Sequence, residues 1–441
     1  MVVETVLLFV LGVLIILAGL VLSIGLHELG HLSFAKLFKV KVGQYMIGFG
    51  PTLWSKRIGE TEYGVKGIPL GGYISMAGMY PPAKKGAASD AGRAGGYLPE
   101  RERSRTSTTS LFNVLVQEAR DTSAQTIEKG HEDRVFYKLA WWKRIIIMLA
   151  GPAMNLVLAL IFTLIVACGF GLPTQTTTIA NVGSDSPAAA GGLKAGDRVV
   201  SIDGTTVAGY PQMTALIRAH AGEQMDVVVE RGGSRETLQL TPERRAVQPS
   251  DAYGTPETGW DGKPVIVKAG FLGIAPQPAV VHQSLGGGLS YFGYNVGQMT
   301  KVIATFPVRV YNTVASTIQG EKRQQGGPVS IVGVGELAGQ VASIQAPIAA
   351  RAQSMISILA QLNLALFLFN LIPLLPLDGG HVIGALWEAV RRRVAALFKR
   401  RDPGPVDMAR LTPLTVLVTG VLALMSLSLI IIDIVNPLSI T

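Results

Sequence analysis

The chain has 441 residues, 48% of them hydrophobic and only 16% charged, with a formal net charge of +9. Such a composition is too apolar for a soluble enzyme of this length and points to a chain that crosses a membrane several times. The basic balance does not indicate a nucleic-acid partner, because no basic residues interleave with aromatic ones as such surfaces require, and Cys168, the single cysteine, excludes an intrachain disulfide or a cysteine-based metal cluster and reads as small apolar filler in a span.

Residues 1–38 open on an apolar run, Thr5–Leu26, long enough for a hydrocarbon core of about 30 Å, which takes about 20 helical residues. The run lacks a basic leading region and a small-residue cleavage site and leads directly into HELGH, so it is read as a retained first span. On a helix, residues i and i+4 share a face. His27 and His31 can therefore hold one metal ion while Glu28 lies close enough to polarise a water, the HExxH pattern of zinc hydrolases.

Residues 39–79 contain IGFGPTLW and TEYGVKGIPLGGYISMAG, whose paired glycines and β-formers predict a hairpin or re-entrant loop. Ile68–Met76, with Gly71, Gly72 and Tyr73 inside it, is the candidate strand for holding a substrate extended; the competing reading is a hairpin that only seals the site. Residues 80–135 form an insert expected to be largely disordered, above all in Tyr80–Ser110, where Pro, Gly, Ala, Ser and charge leave little to bury.

The second span, Trp142–Phe170 within 136–172, carries GPAMN with Gly151, Pro152 and Asn155. Asn155, like Asn363 further on, is read as an interhelical hydrogen-bonding residue. Residues 173–276 form a soluble segment in which Thr178–Pro242 shows short β-rich runs around GLKAGDRVVSIDGTTV and one amphipathic helix near Gln212–His220, with Ala246–Val265 as a linker. Within 277–350, Leu289–Ile318 is expected to be a helix lying on the membrane surface, followed by the connector QQGGPVSIVGVGELAG. A third span, Ile356–Leu377, ends at LDGG within 351–381, a loop covers 382–411, and a fourth span, Leu414–Val435, lies in 412–441.

A catalytic zinc takes a third protein ligand and keeps one position open. Asp378 is the candidate: the first and third spans run in the same direction, about 22 to 25 apolar residues precede each motif, and the depths match at about 1.5 Å per residue. The Pro and Gly pairs of NLIPLLPLDGGH unwind the helix there, and a carboxylate inside a membrane is costly unless it pairs or binds a metal. His381, three residues on, is the competing ligand. Asn370, eight residues before Asp378 and within about 80° of it on a continuous helix, is placed to hydrogen-bond the substrate backbone or an oxyanion. Residues 36–144 and 378–411 hold 25 of the 39 Lys and Arg, against 14 between 171 and 351. The basic side is the cytoplasmic one on this count.

HELGH in the first span, GPxxN in the second, NxxPxxPLDGG in the third and an external domain between the second and third together resemble the site-2 protease family. The likeness is to the bacterial regulator of sigma-E protease branch, in its actinobacterial form. It implies a polytopic α-helical membrane protein with four transmembrane helices, a membrane re-entrant β-loop at Gly67–Ala77 and one extracytoplasmic PDZ domain at Thr178–Pro242. It further implies that His27, His31 and Asp378 bind Zn2+ and that Glu28 is catalytic.

Such a protease cuts single-span membrane proteins in regulated intramembrane proteolysis, for example a pre-trimmed anti-sigma factor or a remnant signal peptide, in the bacterial inner membrane. The PDZ carboxylate-binding loop is expected near Gly192–Leu193. Only one PDZ core is evident, with Lys263–Pro276 as its closing strand or a remnant, where proteobacterial relatives carry two in tandem. An inactive PDZ-bearing scaffold and a metal transporter are the rival classes; the intact Glu28 and the lack of an inverted repeat argue against them.

Overall fold

The computed structural model describes residues 2–82, 107–128, 130–251, 253–321, 323 and 326–438. The chain divides into two compact units, residues 1–163 with 292–441, and residues 164–291.

Among the described residues, four helices are long and apolar enough to cross a membrane: Val3–Leu37, Trp141–Phe170, Ile348–Asn370 and Met408–Val435. The first is one unbroken helix from Val2 to Leu37, so HELGH lies inside it rather than at its end. Glycines let its neighbours come close. A Cβ on Gly12 would stand 2.5 Å from the Ala338 carbonyl oxygen, and one on Gly339 would stand 2.5 Å from the Phe9 ring. These contacts seat the helix Ile331–Ser343, expected only as a connector, against the first span around Ile16, Ala338, Ala342 and Met355.

After the first span the chain forms two long antiparallel strands, Val42–Ile58 and Thr61–Met76. Both bend, so that Gln44–Ile47 has partners on either side, Gly72–Ser75 and Glu62–Val65, while Ile58 pairs with Thr61 at the turn. The result is a small sheet rather than a simple hairpin. Val42 and Met76 pack with Leu32, Ala35, Phe136 and Ile147 in one buried cluster. The Tyr45 hydroxyl donates to the Gly25 carbonyl of the first span at 2.7 Å.

Three expectations need correction in this unit. The insert is not irregular throughout, since Ser107–Gln125 is a 19-residue helix whose Arg120 pairs with Asp407; residues 83–106, the greater part of the expected disorder, lie outside the described residues. The third span begins eight residues earlier than expected and stops at Asn370, because Pro373 and Pro376 cannot continue a helix. And residues 382–411 are not mainly a loop: a second helix, Asp378–Leu397, starts at the aspartate itself. A buried ion pair, Arg144–Glu388, joins this helix to the start of the second span.

Leu289–Ile318 is likewise not one helix but parts of two, Leu285–Ala304 and Phe306–Ile318, the second opened by Pro307 where its missing N–H costs nothing. Near the end of the fourth span, Asp433 is fully buried; Arg323 pairs with it and the Ser330 and Gly333 N–H groups donate to it, which caps the helix Ile331–Ser343.

The second unit is built on strands in the order Ile274–Val281, Leu172–Val182, Arg198–Ile202, Met225–Arg231, Ser234–Leu240, with Thr205–Thr206 paired to the third of these. The short helix Pro187–Ala190 and the helix Tyr210–Ala219 accompany them. Ile179, Val199, Ile202, Met213, Val227 and Leu240 form its core. The strand that closes this sheet is Ile274–Val281, which takes in only the last three residues of the expected Lys263–Pro276, while the earlier strand Val267–Phe271 pairs with Glu243–Val247.

Candidate metal and catalytic site

The helical spacing of HELGH stacks His27 and His31, with their rings edge to face at 4.8 Å between centroids. Their Nε2 atoms are 3.1 Å apart. Asp378 Oδ2 lies 3.3 Å from the first and 3.4 Å from the second. Among the described residues, these three side chains form the group of metal-capable donors, all ligand atoms lying within 4.8 Å of one another.

Two observations test whether a zinc ion fits. A tetrahedral ion with ligand bonds of about 2.0–2.1 Å holds neighbouring ligand atoms about 3.3 Å apart, and the three separations lie close to that edge. In addition, Asp378 Oδ2 is buried and has no hydrogen-bond partner, a costly state for a carboxylate oxygen unless a cation completes it. The donor set of two imidazoles and one carboxylate suits zinc.

The glycines of the motifs make this convergence possible. A Cβ on Gly151 would stand 2.2 Å from His31 Nε2, and one on Gly30 would stand 2.4 Å from the Ala150 carbonyl oxygen, so GPAMN and HELGH meet through their two glycines. Pro152 interrupts the second span's N–H ladder. Just upstream, the Ile147 carbonyl lies 2.7 Å from His31 Nδ1 and fixes that ring from behind. In LDGG, Cβ atoms on Gly379 and Gly380 would meet the Ile372 carbonyl at 2.4 Å and the Leu375 nitrogen at 2.6 Å. The glycine pair thus lets residues 371–377 fold tightly over the helix start that presents Asp378.

Asn155 bonds between helices as expected, and its partner is His27 of the first span, its amide nitrogen lying 3.3 Å from Nδ1 while its Oδ1 is buried without a partner among the described residues. The sequence held a signal for this. Gly151 and Asn155 are four apart in GPAMN and share the face that receives the histidines. Asn363 does what was expected of it, donating to Ser23 Oγ of the first span at 2.9 Å.

Glu28 is half-buried and follows His27 on the same helix. The strand ending in Met76 passes over it: a Cβ on Gly72 would stand 2.8 Å from Glu28 Cγ. Gly71 has φ +134° with the Phe49 ring where a side chain would go. The Tyr73 hydroxyl donates to Gln44 Oε1 at 3.2 Å.

His381 is outside the donor group and faces Tyr80 in a stacked arrangement at 6.4 Å. Asn370 is the last residue of the third span, and the non-helical stretch to Asp378 removes the helical phase on which its relation to the aspartate was argued. In the second unit, the Gly192 and Leu193 N–H groups already donate to Ala189 and Ala188 carbonyls at 3.1 and 3.0 Å. That corrects the expectation of a carboxylate-binding loop there, since neither amide is on offer.

The profile of peptidase family M50 matches residues 15–401. Zinc metalloprotease Rip1 of Mycobacterium tuberculosis is 29% identical over 452 aligned residues that cover 98% of each chain. Its namesake in Mycolicibacterium smegmatis is 30% identical over 459, covering 98% of this chain and 99% of its own. Metalloprotease MmpA of Caulobacter vibrioides is 29% identical over 401, covering 87% of this chain and 89% of its own.

Proposed function

The chain belongs to peptidase family M50, the site-2 type intramembrane zinc metalloproteases, and from that premise we propose that His27, His31 and Asp378 hold its zinc and that Glu28 carries the proton. The observation behind this assignment is the buried, unpartnered Asp378 Oδ2 at 3.3 and 3.4 Å from two Nε2 atoms.

Zinc bound there supplies Lewis-acid polarisation and brings the pKa of a water towards neutrality. The Glu28 carboxylate takes a proton from the attacking water and returns it to the leaving amide nitrogen. Ile147 and Asn155 hold the two rings with Nε2 turned inward, each accepting from an Nδ1–H once the Asn155 amide is turned so that its oxygen faces His27, an exchange of oxygen and nitrogen that leaves its shape unchanged.

The substrate is the membrane-spanning segment of a single-span protein, of the kind left by a first cut outside, such as a trimmed anti-sigma factor or a remnant signal peptide. A helical segment has its carbonyls bonded, so it must be drawn out before attack. Among the described residues, Gly72–Met76 have a strand partner on one side only, and that open edge beside Glu28 offers backbone pairing to an extended peptide. Asn370, at the end of the third span, is the side chain proposed to bond that backbone. The sheet of Val42–Met76 thereby acts as a membrane re-entrant loop. The second unit is taken as a PDZ-type domain on the extracytoplasmic side, gating access by size, since the amides at Gly192–Leu193 are engaged. The excess of Lys and Arg in 36–144 and 378–411 supports a cytoplasmic position for those segments, in a protein proposed for the bacterial inner membrane.

Metal analysis of purified variants tests the ligand set, with zinc lost in His27→Ala and Asp378→Ala; full occupancy in Asp378→Ala would move the ligand role to His381. Capture of partners by Glu28→Gln in native membranes tests the substrate class. Enrichment of truncated single-span proteins supports it, and enrichment of intact polytopic proteins alone would remove it.

A further inference from the structure

The helix Asp378–Leu397 buries one face, at Gly384, Ala385, Glu388 and Ala389, and leaves another bare. Trp387, Val390, Val394 and Phe398 recur at helical spacing along that bare face and are 58%, 48%, 49% and 67% exposed. They line a cleft of about 410 Å³. Arg391, on the same face of the helix, and Arg400 and Arg401 beyond its end line the same cleft, with Pro403.

The carboxylates nearest in sequence are committed elsewhere. Glu388 pairs with Arg144 and Arg392, and Asp402 with Arg392. Among the described residues, none of the three cleft arginines has a carboxylate within ion-pair distance. Three guanidinium groups with no carboxylate partner among the described residues, set along an apolar stripe, ask for an anion that carries its own apolar body.

We propose that this cleft is a binding site for an acidic phospholipid of the bilayer the protein spans, its phosphate on Arg391, Arg400 and Arg401 and an acyl chain along Trp387, Val390, Val394 and Phe398. Guanidinium groups suit phosphate oxygens through paired N–H donors. Only seven residues separate the third span from the start of this helix, so the stripe follows closely on a membrane-crossing segment, and a tryptophan ring is at home at a membrane edge. Inorganic phosphate would satisfy the arginines and leave the apolar stripe wet, so the lipid is the occupant the whole cleft fits.

The test uses the full-length protein, stripped of lipid in detergent and titrated with phosphatidylglycerol or phosphatidylcholine while bound lipid is counted by native mass spectrometry. Phosphatidylglycerol is expected to bind at least tenfold more tightly than phosphatidylcholine, and R391A/R400A/R401A to lose roughly a hundredfold in that affinity. The R391K/R400K/R401K variant, which keeps the charge, should retain most of it, and a thermal melt checks that both variants fold. A photoactivatable phosphatidylglycerol should crosslink within residues 387–401. Unchanged phosphatidylglycerol binding in the alanine variant, crosslinks only elsewhere, or full displacement of lipid by equimolar inorganic phosphate or an acidic peptide would overturn the assignment.

Discussion

The amide of Asn155 stands against the outer nitrogen of His27, 3.3 Å from Nδ1, on the side of the ring away from Asp378. A histidine that ligates through Nε2 carries its proton on Nδ1, and that proton needs an acceptor. Asn155→Leu, close in volume, removes the acceptor, and the apparent zinc affinity should fall about 10- to 100-fold. Asn155→Asp restores an acceptor and should bring affinity back to within a few-fold of wild type. Competition with a chromophoric chelator, in a Glu28→Gln background so that no self-cleavage intervenes, measures both.

Two glycines near the site should separate metal binding from chemistry. A methyl group at Gly151 would sit 2.2 Å from His31 Nε2, so Gly151→Ala should lose zinc and with it cleavage. A methyl at Gly72 would sit 2.8 Å from Glu28 Cγ and 3.1 Å from the Met46 carbonyl, far from the ligand atoms in its effect. Gly72→Ala should keep zinc while cleavage falls by at least about tenfold, the scale of a displaced general base. Metal analysis alongside a cleavage assay reads the two apart.

The Arg144–Glu388 pair, with side chains 7% and 1% exposed, ties the second span to the helix that presents Asp378. Arg392 also bonds Glu388, so it is removal of Glu388 that strands a buried charge, Arg144, and Glu388→Leu should cost about 3–5 kcal/mol. Arg144→Met with Glu388→Leu should recover most of that loss, because neither charge is then left buried alone. Unfolding in detergent, followed by tryptophan fluorescence, measures the three proteins.

In the second unit, the Arg231 guanidinium bonds the buried Asp197 at 2.7 Å and holds its carboxyl below the usual range, helped by the Lys194 N–H. A carboxyl depressed in the folded state adds stability above its unfolded pKa of about 3.9, and that stability is lost as pH falls through the folded value. Hydrogen exchange of residues 164–291 in the full-length protein should therefore be slow and level from pH 7 to about 5 after correction for intrinsic rates, then quicken below about 4. Asp197→Asn should exchange faster at neutral pH and show a flatter profile on acidification.

Much of the site was legible because it is local. HELGH defines a helical face by spacing alone, and the four spans declare themselves by length. Asp378 was reachable through depth and the cost of a lone membrane carboxylate. What the sequence hid depends on tertiary contact. The glycines of LDGG read as breakers, yet they open a new helix because residues 371–377 pack over it, so Asn370 and Asp378 lost their assumed helical relation. Ile331–Ser343 was too short to read as a membrane element, and only its glycine contacts with Phe9 and Gly12 place it on the first span. Gly192–Leu193 looked free in sequence because nothing local shows that a four-residue helix takes both amides.

Glu28 is proposed to supply the chemistry and His27, His31 and Asp378 to hold the metal, and that division of roles can be measured. Its most direct test is one purified pair, wild type and Glu28→Gln, assayed together for zinc per chain and for cleavage of a single-span substrate in lipid. Equal zinc is expected in both proteins, with cleavage by Glu28→Gln reduced at least about a hundredfold, the low end of a lost acid–base group. Cleavage by Glu28→Gln at the wild-type rate, with zinc bound, would contradict that division.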